Sequence, residues 1–366
     1  MLPAAKTSRF SLADVVPNCL EALAGRRGRL GLAPVTHAVV LLADGLGRTA
    51  LETHRGHART LASRLDADPA ISPGFPTTTA SSLATLTTGT LAGENGMVGY
   101  RALDPQSGRV VSLLNGDPAI DSATWQRRPT LFETSDVRSV VIASPRHHDS
   151  WFTQAVLRGA EYRGEASMSE RFAAARRELA SPRPTLVYLY IAELDVEGHA
   201  RGLDSARWVA ALETLDAEVA SLASALGPRQ GLLVTADHGM VDVPAEAQVM
   251  IAPELLDQVR AVAGEPRCLQ LHLTAGADVD AVAGSFRDAL GARAWVATRR
   301  EAIEAGWFGP VDPEVLPRIG DVLVAARKSH AFYTDPDDTA RRMVGQHGSL
   351  TPDETQIPLL RFGAFA

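Results

Sequence analysis

"VTHAVVLLADG", residues 35–45, is an uninterrupted apolar, β-branched run that ends on Asp44 and Gly45. Such a run lacks the alternation of a half-solvated strand, so it predicts a strand buried on both faces, as in a parallel sheet. Three further runs share this character: "SVVIASPRHHD" (139–149), "TLVYLYIAELD" (185–195) and "GLLVTADHG" (231–239). Between them lie stretches with apolar residues at helical spacing, "SERFAAARRELA" (169–180) and "SARWVAALETLDAEVASLASAL" (205–226). Strand and helix therefore alternate, which predicts an α/β fold: a doubly wound, mostly parallel sheet with helices on both faces.

Three of the four runs deliver an aspartate at the end, Asp44, Asp195 and Asp237, and the remaining one ends in "RHHD". Ligands of open α/β sheets bind outside the carboxyl ends of the strands, so these side chains are expected on one rim. After Val243 the pattern changes to shorter strands and helices up to about Asp335. The expected division is an N-terminal extension (1–34), a catalytic core (35–243 and 336–366) and an inserted α+β cap subdomain (244–335). The apolar "IPLL" (357–360) is expected to rejoin the main sheet.

The chain has 366 residues, 45% hydrophobic and 22% charged, enough for a large core. Its net charge is −7 and its arginines are scattered, which excludes a basic footprint for a nucleic-acid polymer. Cys19 and Cys268 are far apart and lack C-x-x-C spacing, so they predict buried thiols rather than a disulfide or thiolate zinc site. The N-terminal stretch carries charges and Pro17 where a signal peptide needs an apolar run, and no window reaches transmembrane length. A cytoplasmic location without membrane association is the expectation, with a small molecule as partner.

Asp195 and His199 in "ELDVEGH" stand at i, i+4, one face of a helical turn directly after a strand. Taken alone, that spacing is an ordinary polar turn. "TADHGM" places Asp237 beside His238 at a strand end, where Gly239 lets the backbone turn. His347 in "GQHGS" lies among glycines, and by itself reads as a loop histidine. Together these three aspartates and three histidines are enough for two metals with three protein ligands each, leaving positions for substrate and nucleophile. Paired divalent metals suit phosphoryl transfer.

"PGFPTTTASSLATLTTG" (73–89) predicts a helix that starts at Thr77–Thr79 and stops at Gly89. Capping explains hydroxyls there, at about 1 kcal/mol each. A helix N-terminus also holds anions, and a hydroxyl beside a metal becomes a nucleophile. "PRHHDSW" (145–151) follows a strand, so Arg146, His147 and His148 are candidates for phosphate contact. Asn95 and Tyr100 in "GENGMVGY" are candidate pocket residues, and "TDPDD" (334–338) reads as a surface turn.

"LLADGLG", "FPTTTASSLATLTTGTLAGENGMVGY", "YIAELDVEGHARG", "VTADHGM" and "GQHGS" stand in the order and approximate spacing of the alkaline phosphatase superfamily. They most resemble its type I phosphodiesterase/nucleotide pyrophosphatase branch, over about Val35–Val243 and the segment around His347. The resemblance implies one zinc held by Asp44, Asp237 and His238 and another by Asp195, His199 and His347. It also implies a nucleophilic threonine in F-P-x-x-T, matched by Phe75, Pro76 and Thr79, with Thr79 on the first metal. Eukaryotic-type members place an asparagine three residues beyond the nucleophile; here stands Ser82, so Ser82 or the Ala80 N–H is the expected donor to a phosphate oxygen.

The implied activity is hydrolysis of a phosphodiester or nucleotide pyrophosphate through a phosphothreonine, with two divalent metal ions, zinc or alternatively Mn2+. Phosphomonoester hydrolysis, phosphonate hydrolysis and phosphomutase chemistry use the same site type and are the alternatives.

Overall fold

The computed structural model describes residues 2–3, 8–67 and 69–366. Helix α1 (Val15–Leu23) buries Val15, Val16, Cys19 and Ala22 in the main core. Strand β1 (His37–Ala43) follows, with all seven residues buried. Helix α2 (Thr79–Thr88), strand β2 (Arg138–Ala143) and the short strand β3 (Glu161–Gly164) come next. Helix α3 (Met168–Leu179) starts at a capping box between Ser167 and Glu170, and leads into β4 (Thr185–Ile191). Helices α4 (Glu193–Arg201) and α5 (Ala206–Ser224) then lead to β5 (Gln230–Thr235).

Four strands, β6 (Val259–Glu265), β7 (Cys268–Leu273), β8 (Ala294–Thr298) and β9 (Val322–Ala326), form a second sheet in the order β6-β7-β9-β8, antiparallel throughout. Helix α6 (Val279–Leu290) covers it with Val282, Ala283, Phe286 and Leu290, which share a separate core with Leu269, Leu271, Val322 and Val324. The last strand, β10 (Leu359–Gly363), returns to the first sheet and pairs antiparallel with β5.

The first sheet has the order β10-β5-β1-β4-β2-β3, parallel except for that last strand. Its central strand β1 is flanked on both sides, which is why "VTHAVVLLADG" carries no polar alternation. Burying a side chain such as Leu41 there stabilises the fold by about 1.5–3 kcal/mol. Its register sets Ala43 opposite Ile191 and Leu42 opposite Thr235, so β1, β4 and β5 end at one level. Asp44, Asp195 and Asp237 leave the sheet on that rim.

The rim loops pack closely at glycines. A Cβ on Gly239 would lie 1.8 Å from the Asp353 carbonyl oxygen and 2.9 Å from the Gly47 Cα, so only glycine lets these three segments meet. Cys19 and Cys268 are free and buried. Among the described residues no helix is long and apolar enough to cross a membrane.

Candidate active site

Asp44 directly follows β1 and is buried; the Tyr190 hydroxyl donates to its Oδ2, and its Oδ1 has no partner. Asp237 follows β5; its Oδ1 accepts the backbone N–H groups of Gly45 and His238, both at 3.1 Å, and its Oδ2 is unpartnered. The ligand atoms of Asp44, Asp237 and His238 lie within 4.8 Å of one another. Two carboxylates at that separation repel by roughly 3 kcal/mol at an effective dielectric of about 20, so a cation is needed to keep both ionised.

Asp195 and His199 sit on α4, whose first turn begins as β4 ends. His199 Nε2 is 3.3 Å from Asp195 Oδ1 and 3.3 Å from His347 Nε2, and His347 Nε2 is 3.8 Å from Asp195 Oδ1. Asp195 Oδ1 has no hydrogen-bond partner. The His238 and His347 rings stack with centroids 3.6 Å apart, which joins the two triads into one cluster.

The histidine protons show what this cluster fits. His238 Nδ1 is 3.2 Å from the Gly239 carbonyl, His199 Nδ1 is 2.7 Å from that of Gly345, and His347 Nδ1 is 2.8 Å from that of Thr77. A carbonyl only accepts, so each Nδ1 carries the proton and each Nε2 keeps a lone pair. The Nε2 lone pairs of His199 and His347, that of His238, which meets only the Thr79 hydroxyl, and three unpartnered carboxyl oxygens therefore face one another. That donor set fits divalent cations, with carbonyls orienting the imidazoles from behind.

The same burial displaces the titrations. Asp44 is held well above the usual carboxylate range by burial and by the charge of Asp237. Burial and then Asp44 push Asp195 up to about 7, and burial and then Asp195 push Asp237 up to about 7. Burial, followed by the His199 charge, brings His238 down to about 3; His347 is lowered well below its ordinary value by burial and by His238. Without a cation the cluster resists every charge it must carry.

Thr79 is the first residue of α2 and is 9% exposed. Its hydroxyl donates to His238 Nε2 at 3.2 Å. Thr78, the N-cap, makes no side-chain capping bond, so capping does not account for the hydroxyls at this helix start. Thr77 instead bridges to the C-terminal segment, where its Oγ1 donates to the Ser349 carbonyl at 2.8 Å and accepts the Gly348 N–H at 3.1 Å, while its carbonyl holds His347. The helix start and the C-terminal segment are thus stitched together.

Two cavities adjoin the cluster and share Thr79, Asp195 and Leu114. One, of 450 Å³, has walls from Tyr162, Tyr188, Tyr190, Trp151 and Phe152, with Arg146 and His147 at its side. The other, of 440 Å³, is bordered by His199, His347, Tyr100, Arg101, Glu265 and Asp338.

The structure brings Asp44, Asp195, His199, Asp237, His238, His347 and Thr79 together. Ser82 is buried with an unpartnered Oγ, and neither it nor Ala80 lines these cavities. Helical geometry explains this: i+4 turns back to about 40° from Thr79, so Leu83 meets the first cavity, whereas i+3 falls about 60° to the other side. Arg146 and His147 reach the cavity, but His148 pairs with exposed Asp149 and packs on Tyr162. Tyr100 borders the second cavity; Asn95 instead ties its own loop, donating to the Thr90 carbonyl and accepting the Met97 N–H. Asp338 of "TDPDD" reaches the second cavity as well.

Tyr188 lies outside the motifs, and Tyr190 begins "YIAELDVEGHARG" without being assigned a role there; their alternate positions on β4 place both on one face of the site. Two tyrosines at period two in an otherwise apolar strand are the available signal. Glu265 and the fully buried pair of Arg267 with Glu354 carry no local signal.

A doubly wound sheet whose strand ends converge on a cluster of aspartates and histidines able to hold metal ions, beside a helix-start hydroxyl, fits a phosphoryl-transfer hydrolase of the alkaline phosphatase superfamily. Within it, the chain belongs to the type I phosphodiesterase/nucleotide pyrophosphatase family, whose profile matches residues 38–350. It is accordingly a hydrolase of phosphoric ester or anhydride bonds.

The fold is similar to that of murine ectonucleotide pyrophosphatase/phosphodiesterase 5, solved as an inactive variant with AMP: TM-score 0.69, 18% identity, 89% of this chain and 88% of that one. Phosphonoacetate hydrolase from Sinorhizobium meliloti 1021, solved with phosphonoformate, superposes with TM-score 0.71 at 18% identity, over 92% of this chain and 91% of that one. At these identities the likeness is one of fold. No curated protein sequence matches the chain.

Proposed function

We propose that the chain is a phosphodiesterase/nucleotide pyrophosphatase that works through a phosphothreonine at Thr79, with two divalent ions, zinc by the nitrogen-and-oxygen donor set. Asp44, Asp237 and His238 would hold one ion, and Asp195, His199 and His347 the other. When bound, such ions neutralise the non-bridging phosphate oxygens and stabilise the attacking and leaving oxygens.

The chain's own residues supply the rest. With an ion held by Asp44, Asp237 and His238, the Thr79 hydroxyl would exchange its bond to His238 for that ion and release its proton to solvent; Thr79 Oγ1 then forms the new bond to phosphorus as the bond to the leaving oxygen breaks on the opposite side, and the departing oxygen takes a proton from water. Water then cleaves the phosphothreonine and restores the hydroxyl, so configuration at phosphorus is retained. Tyr190 fixes Asp44, and the three carbonyls fix the imidazoles, so little reorganises during the reaction.

The observation that favours a diester over a monoester is the pair of cavities, 450 and 440 Å³, flanking Thr79. A diester or pyrophosphate has two substituents to place, and a monoester has one. Aromatic walls in the first cavity suit a planar base or aryl group.

Thr79→Ala, assayed on bis-p-nitrophenyl phosphate with metal content measured in parallel, is expected to lose at least ~10³-fold in kcat/KM while retaining its metal. Wild-type turnover by a fully metallated variant would sink the assignment. Faster turnover of monoesters or phosphonates than of diesters by wild type would move the reading to those reactions.

A further inference from the structure

The cavity on the His199–His347 side has a wall unlike its neighbour's. Glu265, the last residue of β6, is 5% exposed and lines it together with Thr79. Its Oε2 accepts the Tyr100 N–H at 2.9 Å, and its Oε1 is buried without a partner. The carboxyl reaches this place because residue 348 has no side chain: a Cβ on Gly348 would lie 2.5 Å from Glu265 Cγ and 2.8 Å from Oε1. Asp338 borders the same cavity. The one cationic side chain among the lining residues, Arg101, directs its Nε to the Gly264 carbonyl at 3.2 Å and forms no ion pair with Glu265.

An acidic group that is buried, half-satisfied and beside a phosphate seat is a costly thing to keep without a ligand. It disfavours an anionic neighbour and rewards one that donates hydrogen bonds. Thr79 stands against His238, so a group displaced in line with its attack departs toward His199 and His347, the side on which Glu265 lies.

We propose that Glu265 is a specificity residue for the leaving group: this cavity selects esters whose departing alcohol carries a hydrogen-bond donor, a hydroxyl or a protonated amine, which Glu265 Oε1 accepts. The inference rests on the phosphodiesterase reading and deepens it. Asp338 lends negative potential to the same wall, and Arg101 keeps the Gly264–Glu265 backbone in place. No bond of the reaction is made or broken at Glu265.

The test uses the zinc-reconstituted full chain and two matched diesters, methyl para-aminomethylphenyl phosphate and methyl para-ethylphenyl phosphate. Their leaving groups are nearly isosteric, and only one donates. Wild type is expected to favour the aminomethyl ester in kcat/KM, and Glu265→Gln to lower that preference about tenfold, the scale of a hydrogen bond that includes the protonated amine of the ester as its charged partner. The readout is the ratio of the two esters within each protein, so a general loss of activity cancels.

Glu265→Asp, which withdraws the carboxyl by one methylene, is expected to fall between. An unchanged ratio in Glu265→Gln overturns the inference. So does a wild-type ratio near one with brisk turnover of both esters, a result that needs no variant to fold and leaves the phosphodiesterase reading standing. Cleavage of p-nitrophenyl phosphate but of neither diester overturns that reading, and the inference with it.

Discussion

The two triads contain similar residues but are built differently. Asp44, Asp237 and His238 stand on the ends of adjacent strands of one sheet, and their side chains are 3%, 0% and 0% exposed. Asp195, His199 and His347 are 16%, 22% and 11% exposed, and His347 comes from a segment about 150 residues beyond its partners. The first triad is as rigid as the register of β1 and β5. The second depends on a docking event: the C-terminal segment must be held against both α2 and the hairpin of β6 and β7.

What holds it is visible. Arg267, in the turn between β6 and β7, forms a two-pronged ion pair with Glu354 at 2.7 and 2.8 Å, and both side chains are fully buried. The other side of Glu354 accepts the N–H groups of Ser349 and Thr351 and the Thr351 hydroxyl. Residues 347–349 are thereby caught between this carboxylate and Thr77. The turn of the second sheet thus fixes the position of His347.

Breaking that clamp is the strongest way to separate the two halves. Arg267→Met leaves Glu354 buried and uncompensated, so a loss of about 3–5 kcal/mol of stability is expected by denaturant unfolding. In protein that remains folded, a stepwise chelator titration should release one metal equivalent far more readily than wild type does, and the other unchanged. Equal weakening of both equivalents would mean that the two triads are not independent in the way their construction implies.

The converse change sharpens the comparison from the other side. Tyr190→Phe removes the hydroxyl that donates to Asp44 without touching His347. Outer hydrogen bonds of this kind are worth about 10–100-fold in metal affinity or activity, so the loss is expected in the equivalent that Arg267→Met leaves alone. Competition with a chromophoric chelator would measure it.

This contrast also explains what could be read from the sequence. Asp44, Asp195 and Asp237 were legible because a parallel strand announces both itself and its carboxyl end in one apolar run. His199 followed from helical spacing to Asp195. The start of α2 at Thr79 was marked by hydroxyls and its stop by Gly89, and β10 by "IPLL".

The clamp was illegible because its strength comes from burial and from partners 87 residues apart in sequence. "EPRCLQ" and "TPDETQ" look like surface turns. Thr77 was readable as a cap but not as the bridge to Ser349, because nothing in a single sequence states which distant segment will come to rest on a helix start. Ser82 shows the limit of counting along a helix: three residues on from Thr79 is near in sequence and faces elsewhere.

The remaining expected effect concerns the whole cluster and turns on its sign. In metal-free protein Asp195 and Asp237 have folded values of about 7, and Asp44 lies well above the usual range. A carboxyl raised in the folded state stabilises below the unfolded value near 4, and that contribution is lost as pH rises through the folded one. His238, brought down to about 3, and His347, also lowered, act oppositely: their contribution is lost as pH falls below about 6.5.

Between about pH 4.5 and 6 three retained protons oppose two refused ones. The metal-free fold should therefore lose stability as pH rises, and more steeply from 6.5 to 7, where the histidines fall silent. Loading the metals reverses the slope, because protons then compete with the ions for the same lone pairs. Thermal midpoints at pH 5 and pH 7.5, with and without zinc, should thus cross: higher at pH 5 without metal, higher at pH 7.5 with it. Parallel curves would mean that the three carboxyls are not the groups that hold the cations.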